Sequence, residues 1–337
     1  MSKIVRTICC FTTQPSSQTV KTLNSVSDIL SKKGYEIQTK RICSPVKIKN
    51  LEEGIGDESI LLSAGTLSKE KARNQLDNFL NSGRNISFNL DLSKESISEK
   101  EVDFLFKIIR NKPEKTFNFT FVFNNPDSSP FFPSSSYKKE GFSLGLQPTN
   151  LSAGCSSIKE WLEKTRKSWQ EINNLFSGRD DYLGIDSSIA PLFEKEGSFI
   201  NFINRLGWEF KDSVTTDIYT RISKFIKEEN PRPAGLCGLM FPCLEDFDLA
   251  REYERGEFSI ERNIFLSLHS GLGIDTYPIA VDQNKKRVRE ILNLTQALSN
   301  KHKKPLSTRF VSDGKAKIGE KTNFQNQYLK NVVLKGL

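Results

Sequence analysis

Histidine is nearly absent from this chain: two in 337 residues, His269 and His302, with two methionines beside them. That scarcity excludes a histidine-rich metal centre and leaves any Ser-His-Asp arrangement only two bases to draw on. His269 falls in FLSLHSG and reads as a packed or hydrogen-bonded histidine, while His302 sits among lysines and reads as solvated. No Walker A loop, no GxGxxG behind a strand, and no GxSxG, HExxH or kinase signature occurs. Nothing marks a flavin, nicotinamide or haem site either. The six cysteines (Cys9, Cys10, Cys43, Cys155, Cys237, Cys243) show no CxxC spacing, and the chain is far larger than disulfide-stapled secreted domains, so reduced, buried thiols are expected. Long apolar runs are also missing. No window reaches the roughly 20 apolar residues of a spanning helix, and Thr12, Thr13 and Gln14 cut short the apolar start. A cytoplasmic protein with no membrane partner is the expectation.

What is present is a mixed, moderately basic composition: 49 basic against 41 acidic residues, a formal charge of +8 with the two signs interspersed. Such mixing describes a solvated surface rather than the localised stripe, interleaved with aromatics, that nucleic acid requires, so no nucleic-acid partner is expected. The sequence neither requires nor excludes a homo-oligomer. A hydrophobic fraction of 36% with 24 phenylalanines is enough for a sizeable core.

Strand-like and helix-like segments alternate along the first hundred residues, which predicts β-α-β-α-β organisation and an α/β fold. IVRTICCF predicts a strand, residues 17–33 a helix stopped by Gly34, YEIQTKRIC a strand, and residues 68–82 a helix before the strand NISFNLDL. Ser98 and Glu101 form a capping box that starts a helix over about 98–111. In TFNFTFVF, Phe117, Phe119, Phe121 and Phe123 alternate with smaller residues, predicting a strand with its aromatic face buried. The Pro- and Ser-rich stretch at about 124–141 is a loop, a lid or an ordered excursion within one domain spanning 1–337. Helices are then predicted over 156–177, over 195–229 in two pieces broken near Gly207, from Asp246 to Gly256, over 259–270 and over 284–302, with strands at YLGID, GIDTYPIAV and KPLSTRF.

Polar residues recur at the ends of the predicted strands. GIDSSIAP presents Asp186 and Ser188, GLMFPCLED presents Glu245 and Asp246, GIDTYPIAVD presents Asp275, and PLSTRF presents Arg309. In parallel α/β architectures ligands bind at strand ends, so these groups are candidates to converge. Each also has a structural alternative as a cap or turn residue, Asp246 most plainly as a helix N-cap. Gathered together, the carboxylates are able to bind a divalent cation through oxygen or to act as acid and base, and spacing does not choose between these. Arg6 and Arg41 interrupt apolar strands, and a buried arginine calls for a carboxylate or an anionic ligand.

VRTICCF, GYEIQTKRI, GIDSSIAP, GLMFPCLEDFDLA, GLGIDTYPIAVD, KPLSTRF and GKAKIGEKTNFQNQYLKNVVL, in this order, resemble the family called domain of unknown function 711. The resemblance runs over about residues 4–334 and implies a single barrel-like domain related to the ten-stranded α/β barrel of pyruvate formate-lyase and other glycyl-radical enzymes. The family is functionally uncharacterised, so the resemblance implies positions rather than a reaction. Its recurrent polar positions match here at Arg6, Arg41, Asp186, Ser188, Glu245 and Asp246, and further on at Asp275, Lys304, Arg309, Gly314 and Gly319. RFVSDG echoes a glycyl-radical loop, but Gly314 is followed by Lys315 instead of an aromatic and stands further from Arg309, so radical chemistry is not expected.

The resulting expectation is a barrel that binds, and as an enzyme transforms, a small carboxylate or phosphate. Arg309, Lys304 and Lys315 would grip the anion, the Gly314 turn would aim N–H groups at it, and Asp186, Glu245 and Asp275 would serve as acid, base or cation ligands. The alternative is a non-catalytic sensing or assembly protein in which the same charges form structural networks.

Overall fold

The structure, a computed structural model, describes residues 3–337. In chain order the elements are β1 (Lys3–Phe11), α1 (Ser17–Lys32), β2 (Tyr35–Ile37), β3 (Lys40–Cys43), α2 (Ile48–Gly54), β4 (Leu61–Leu67), α3 (Lys69–Asn81), β5 (Ile86–Asp91), α4 (Glu99–Asn111) and β6 (Phe119–Phe123). There follow β7 (Gly141–Leu146), α5 (Ile158–Phe176), β8 (Tyr182–Asp186), α6 (Phe199–Arg205), α7 (Phe210–Ser213), α8 (Ile218–Glu228), α9 (Phe247–Arg255), α10 (Ile260–His269), β9 (Gly273–Pro278), α11 (Lys285–His302) and β10 (Leu306–Val311). Among these residues no helix is long and apolar enough to cross a membrane.

The strands form one ten-stranded sheet in the order β8-β7-β1-β3-β4-β5-β6-β10-β9, with β2 also paired to β1. Pairing is parallel throughout except at two seams, β1 with β7 and β6 with β10. Two parallel halves thus run in opposite directions. Between the edge strands β8 and β9 lies the segment 232–243, which bonds to both: Ala234 N and Met240 N donate to the carbonyls of Ile185 and Ile189, and Leu272 N and Cys243 N donate to those of Leu239 and Asp275. These bonds give the open edges partners and make the sheet barrel-like, consistent with the α/β barrel expectation.

Side-chain alternation sorts the strands into two faces. Val5, Ile8, Ile42, Leu62, Phe88, Phe119, Phe121 and Ile185 join one large core with the helix residues Leu23, Leu30, Leu76, Phe79, Leu105, Trp161 and Trp169. Cys10 belongs to this outer core, and Cys9 to a separate inner cluster with Phe11 and Cys43, as expected for neighbours on a strand. Burial pushes the Cys10 and Cys43 thiols up to about 12, which leaves no thiolate at neutral pH.

The Pro- and Ser-rich loop does not stand outside the sheet. It turns into the interior: residues 128–131 and 133–135 are buried, and Asn89 Nδ2 donates to the carbonyls of Pro133 and Ser135 at 2.7 and 2.9 Å. Ser143 Oγ donates to Ser128 O at 2.8 Å from the opposite wall. Room for this plug comes from missing side chains. A Cβ on Gly145 would lie 2.6 Å from the Phe131 ring, so only glycine admits the plug there.

Several local expectations hold in detail. Ser98 and Glu101 form the reciprocal capping box of α4, and Gly34 and Gly256 stop α1 and α9 with left-handed φ values of 79° and 85°. Other elements depart from the spacing, among them β4 and β7, which it did not predict. The predicted strand 35–43 breaks at Gln38-Thr39 into β2 and β3, both paired to β1. The predicted strand start at Phe117 is a 3-10 turn over Pro113–Asn118, which takes that ring out of the phase of the other phenylalanines. The 195–229 segment breaks twice, into α6, α7 and α8.

Candidate functional site

A cavity of about 650 Å³ occupies the interior on the side where β1 and β3 to β6 begin and where β9 and β10 end. Its wall is built from inward positions: Arg6 on β1, Arg41 on β3, Ser87 on β5, Thr120 on β6, Asp275 on β9, and Ser307 and Arg309 on β10. Small polar residues at 87, 120 and 307 leave the space. Glu36, Gln38, Ser59, Asn85 and Gln327 are exposed at the rim, and Phe131, Ala190, Leu236, Met240 and Leu272 are buried at the floor.

A belt of charge crosses the wall. Arg309 Nε donates to Asp275 Oδ1 at 2.6 Å, and its Nη2 donates to Glu245 Oε1. Arg6 Nη2 reaches the other Glu245 oxygen at 3.5 Å, and its Nη1 donates to Gln38 Oε1 at 3.1 Å. Glu245 therefore bridges two guanidiniums. The Phe117 ring lies 5.1 Å from the Arg309 guanidinium, and Tyr328 of the C-terminal segment stacks between Phe117 and Phe193. Burial pushes the Glu245 carboxyl above its ordinary value and Asp275 adds to this, while Arg309 and Arg6 oppose it. Burial works against the Arg309 charge, but Asp275 and Glu245 outweigh it and hold the guanidinium above its ordinary value.

Arg41 is different. Its Nε donates to Thr39 Oγ1 at 3.0 Å and its Nη1 to Pro130 O at 3.3 Å, with the Phe132 ring 5.0 Å away. Among the described residues no carboxylate lies within ion-pair distance of it. Burial, reinforced by Arg6, pushes this guanidinium down to about 9, so it remains cationic at neutral pH.

The fold thus brings together five of the sequence candidates, Arg6, Arg41, Glu245, Asp275 and Arg309, and sends the others elsewhere. Asp186 and Ser188 lie outside the cavity wall. The Asp186 carboxylate accepts from Ser129 Oγ at 2.7 Å, Leu236 N at 2.9 Å, Cys237 N at 3.0 Å, Ser188 N at 3.0 Å and Ser188 Oγ at 2.5 Å. It ties the plug and the closing segment to β8. Asp246 points away from its neighbour Glu245 and accepts from Phe199 N at 3.0 Å and Asp248 N at 3.1 Å, holding the starts of α6 and α9. Lys304 donates to Ser267 O at 2.8 Å, and burial beside Lys227 pushes it down to about 8. Gly314 packs against Pro113 and Lys315 is exposed, neither in the wall.

No motif or spacing in the sequence singles out the rim residues, the Phe131-Phe132 tip of the plug, or Tyr328. Only the clustering of Phe with Pro in PFFP marked the plug, and that pattern does not say which way a loop turns.

As a donor set, the belt does not suit a cation. Its two carboxylates already receive Arg6 and Arg309, three guanidiniums repel positive charge, and among the described residues no three His, Cys, Asp or Glu side chains converge. The fold and cavity define an α/β barrel-like protein with an arginine-rich interior.

The family model described as Uncharacterised ACR (DUF711) matches residues 85–326, well over half of the chain, and the protein belongs to that family. The matched region contains Glu245, Asp275 and Arg309, while Arg6 and Arg41 precede it. No curated protein matches the chain.

Proposed function

We propose that the protein binds a small anionic metabolite, a carboxylate or a phosphate, inside the barrel, with Arg41 as the principal anchor and Arg6 beside it. The observation that carries this reading is the Arg41 guanidinium, buried in a cavity wall with only neutral oxygens as partners. A buried cation without an anion is costly, and an anionic ligand removes that cost while gaining charge-assisted bonds. Arg309 is a weaker candidate than the sequence suggested, because Glu245 and Asp275 already engage it. Lys304 and Lys315, outside the wall, have no part in the grip.

Glu245 is the candidate acid or base. It faces the cavity, and its proton affinity is raised by burial. A second reading, binding without chemistry, is favoured by one fact: both Glu245 oxygens already meet guanidiniums, so the belt serves equally as a scaffold. A cytosolic location fits the six free thiols.

A thermal-shift screen of carboxylates and phosphates tests the reading. A ligand at a hundred times its dissociation constant stabilises by about 2.7 kcal/mol. The expected result is such a shift in the wild type and its loss in Arg41→Ala. A shift that survives Arg41→Ala removes Arg41 as the anchor.

A further inference from the structure

Beneath the charged belt the cavity changes character. Phe131, Ala190, Leu236, Met240 and Leu272 form a buried hydrophobic cluster of their own, separate from the large core outside the sheet, and all five line the cavity. They come from four places: the plug, the turn after β8, the closing segment and the residue before β9. Small clusters apart from the main core usually lie under long loops, and this one gathers against the plug and the closing segment.

Glycines bring two of these side chains to the floor. Phe131 occupies the space a side chain at 145 would need, and a Cβ on Gly238 would lie 2.5 Å from a Leu272 methyl. The floor also adjoins the anchor. Arg41 Nη1 donates to the carbonyl of Pro130, the residue directly before Phe131, and its guanidinium faces the ring of Phe132, the residue directly after.

Resting on the anion-binding reading above, we propose that the ligand is amphipathic: an anionic head on Arg41 and Arg6 and a hydrocarbon or aromatic body on the Phe131–Leu236–Met240–Leu272 floor. The ligand is thus an organic acid or phosphate ester carrying an apolar group, rather than inorganic phosphate or a compact dicarboxylate. A cavity of about 650 Å³ fits this class, since sites for such molecules span roughly 300–1,000 Å³ and combine apolar walls with a few placed polar groups. A compact, doubly charged anion would leave the floor to water, whereas an apolar body displaces it.

The test is calorimetric titration of the full chain with straight-chain carboxylates from acetate to decanoate, with inorganic phosphate and the matching alcohols as controls. Each added methylene is expected to tighten binding by about threefold to fourfold until the floor is filled. In Ala190→Leu, which shrinks the floor, that gain should stop at a shorter chain, and in Arg41→Ala the acids should lose their advantage over the alcohols. Binding of carboxylates or phosphate with no dependence on chain length overturns the amphipathic assignment and leaves the anion reading standing. Alcohols binding as tightly as acids, or no binding by any probe, overturns the anion reading and the assignment with it.

Discussion

Asp186 and Glu245 are both buried carboxylates near the closing segment of the barrel, and their surroundings could hardly differ more. Asp186 accepts five neutral donors, three backbone N–H groups and two serine hydroxyls, drawn from the plug, β8 and its turn, and the closing segment. Glu245 accepts two guanidiniums across a cavity. Burial alone therefore says little about a carboxylate's role. Neutral donors fixed by the backbone make a joint, whereas charged side-chain donors that line a cavity make a site that a ligand can enter.

Breaking the joint should have the largest effect. Asp186→Ala strands five buried donors and is expected to cost about 4 kcal/mol in urea unfolding, with the plug and the closing segment loosened together in hydrogen exchange. Gly235→Ala should reproduce part of the loss, since its Cβ would lie 2.3 Å from Asp186 Oδ2 at a backbone φ of 77°.

Breaking the belt comes next. Arg309→Met leaves Glu245 and Asp275 facing each other without their shared guanidinium, at an expected cost of about 3 kcal/mol at neutral pH. The sign of its pH dependence follows from Glu245. A carboxyl whose folded pKa lies above its unfolded value favours folding at low pH and loses that advantage as pH rises from the ordinary carboxylate range. The variant should thus lie closer to the wild type near pH 4 than near pH 7, and equal gaps at both would show that Glu245 stays ionised throughout.

Lys304 gives a smaller effect in a more alkaline window. Its folded pKa, about 8, lies below the ordinary lysine value, so the burden of burying its charge is full below that pH and is relieved as pH climbs from there to the ordinary lysine value. The stability of the wild type relative to Lys304→Met should increase over that window.

Arg41→Ala should cost least, within about 1 kcal/mol of the wild type, because no carboxylate is left behind. A loss as large as that of Arg309→Met would place Arg41 among the structural joints and end its comparison with a ligand anchor.

The sequence was most legible where side chains meet the outer core. The capping box at Ser98, the glycine stops at 34 and 256 and the extents of α1, α4 and α11 follow from local chemistry, and the structure places them where the spacing predicts. It was least legible on the inner face. β4 and β7 carry Ser63, Gly65, Gly141, Ser143 and Gly145, residues that resemble a turn, and of these Gly65, Ser143 and Gly145 face the plug. Of the polar residues expected at strand ends, Glu245, Asp275 and Arg309 do converge and Asp186 and Ser188 do not, and Asp275 and Arg309 lie within β9 and β10 rather than at their ends.

By itself the sequence determined the α/β class, most of the helices and strands, the family, and the presence of arginines that would need anionic company. Periodicity and capping are local, and nearest neighbours along the chain suffice to read them. Only the tertiary structure decided that the Pro- and Ser-rich loop turns inward, that Asp186 is a joint while Glu245 faces a cavity, and that Arg41, not Arg309, lacks a carboxylate. Those outcomes depend on which wall each inward side chain meets across the barrel, and no spacing along the chain encodes a distance across it.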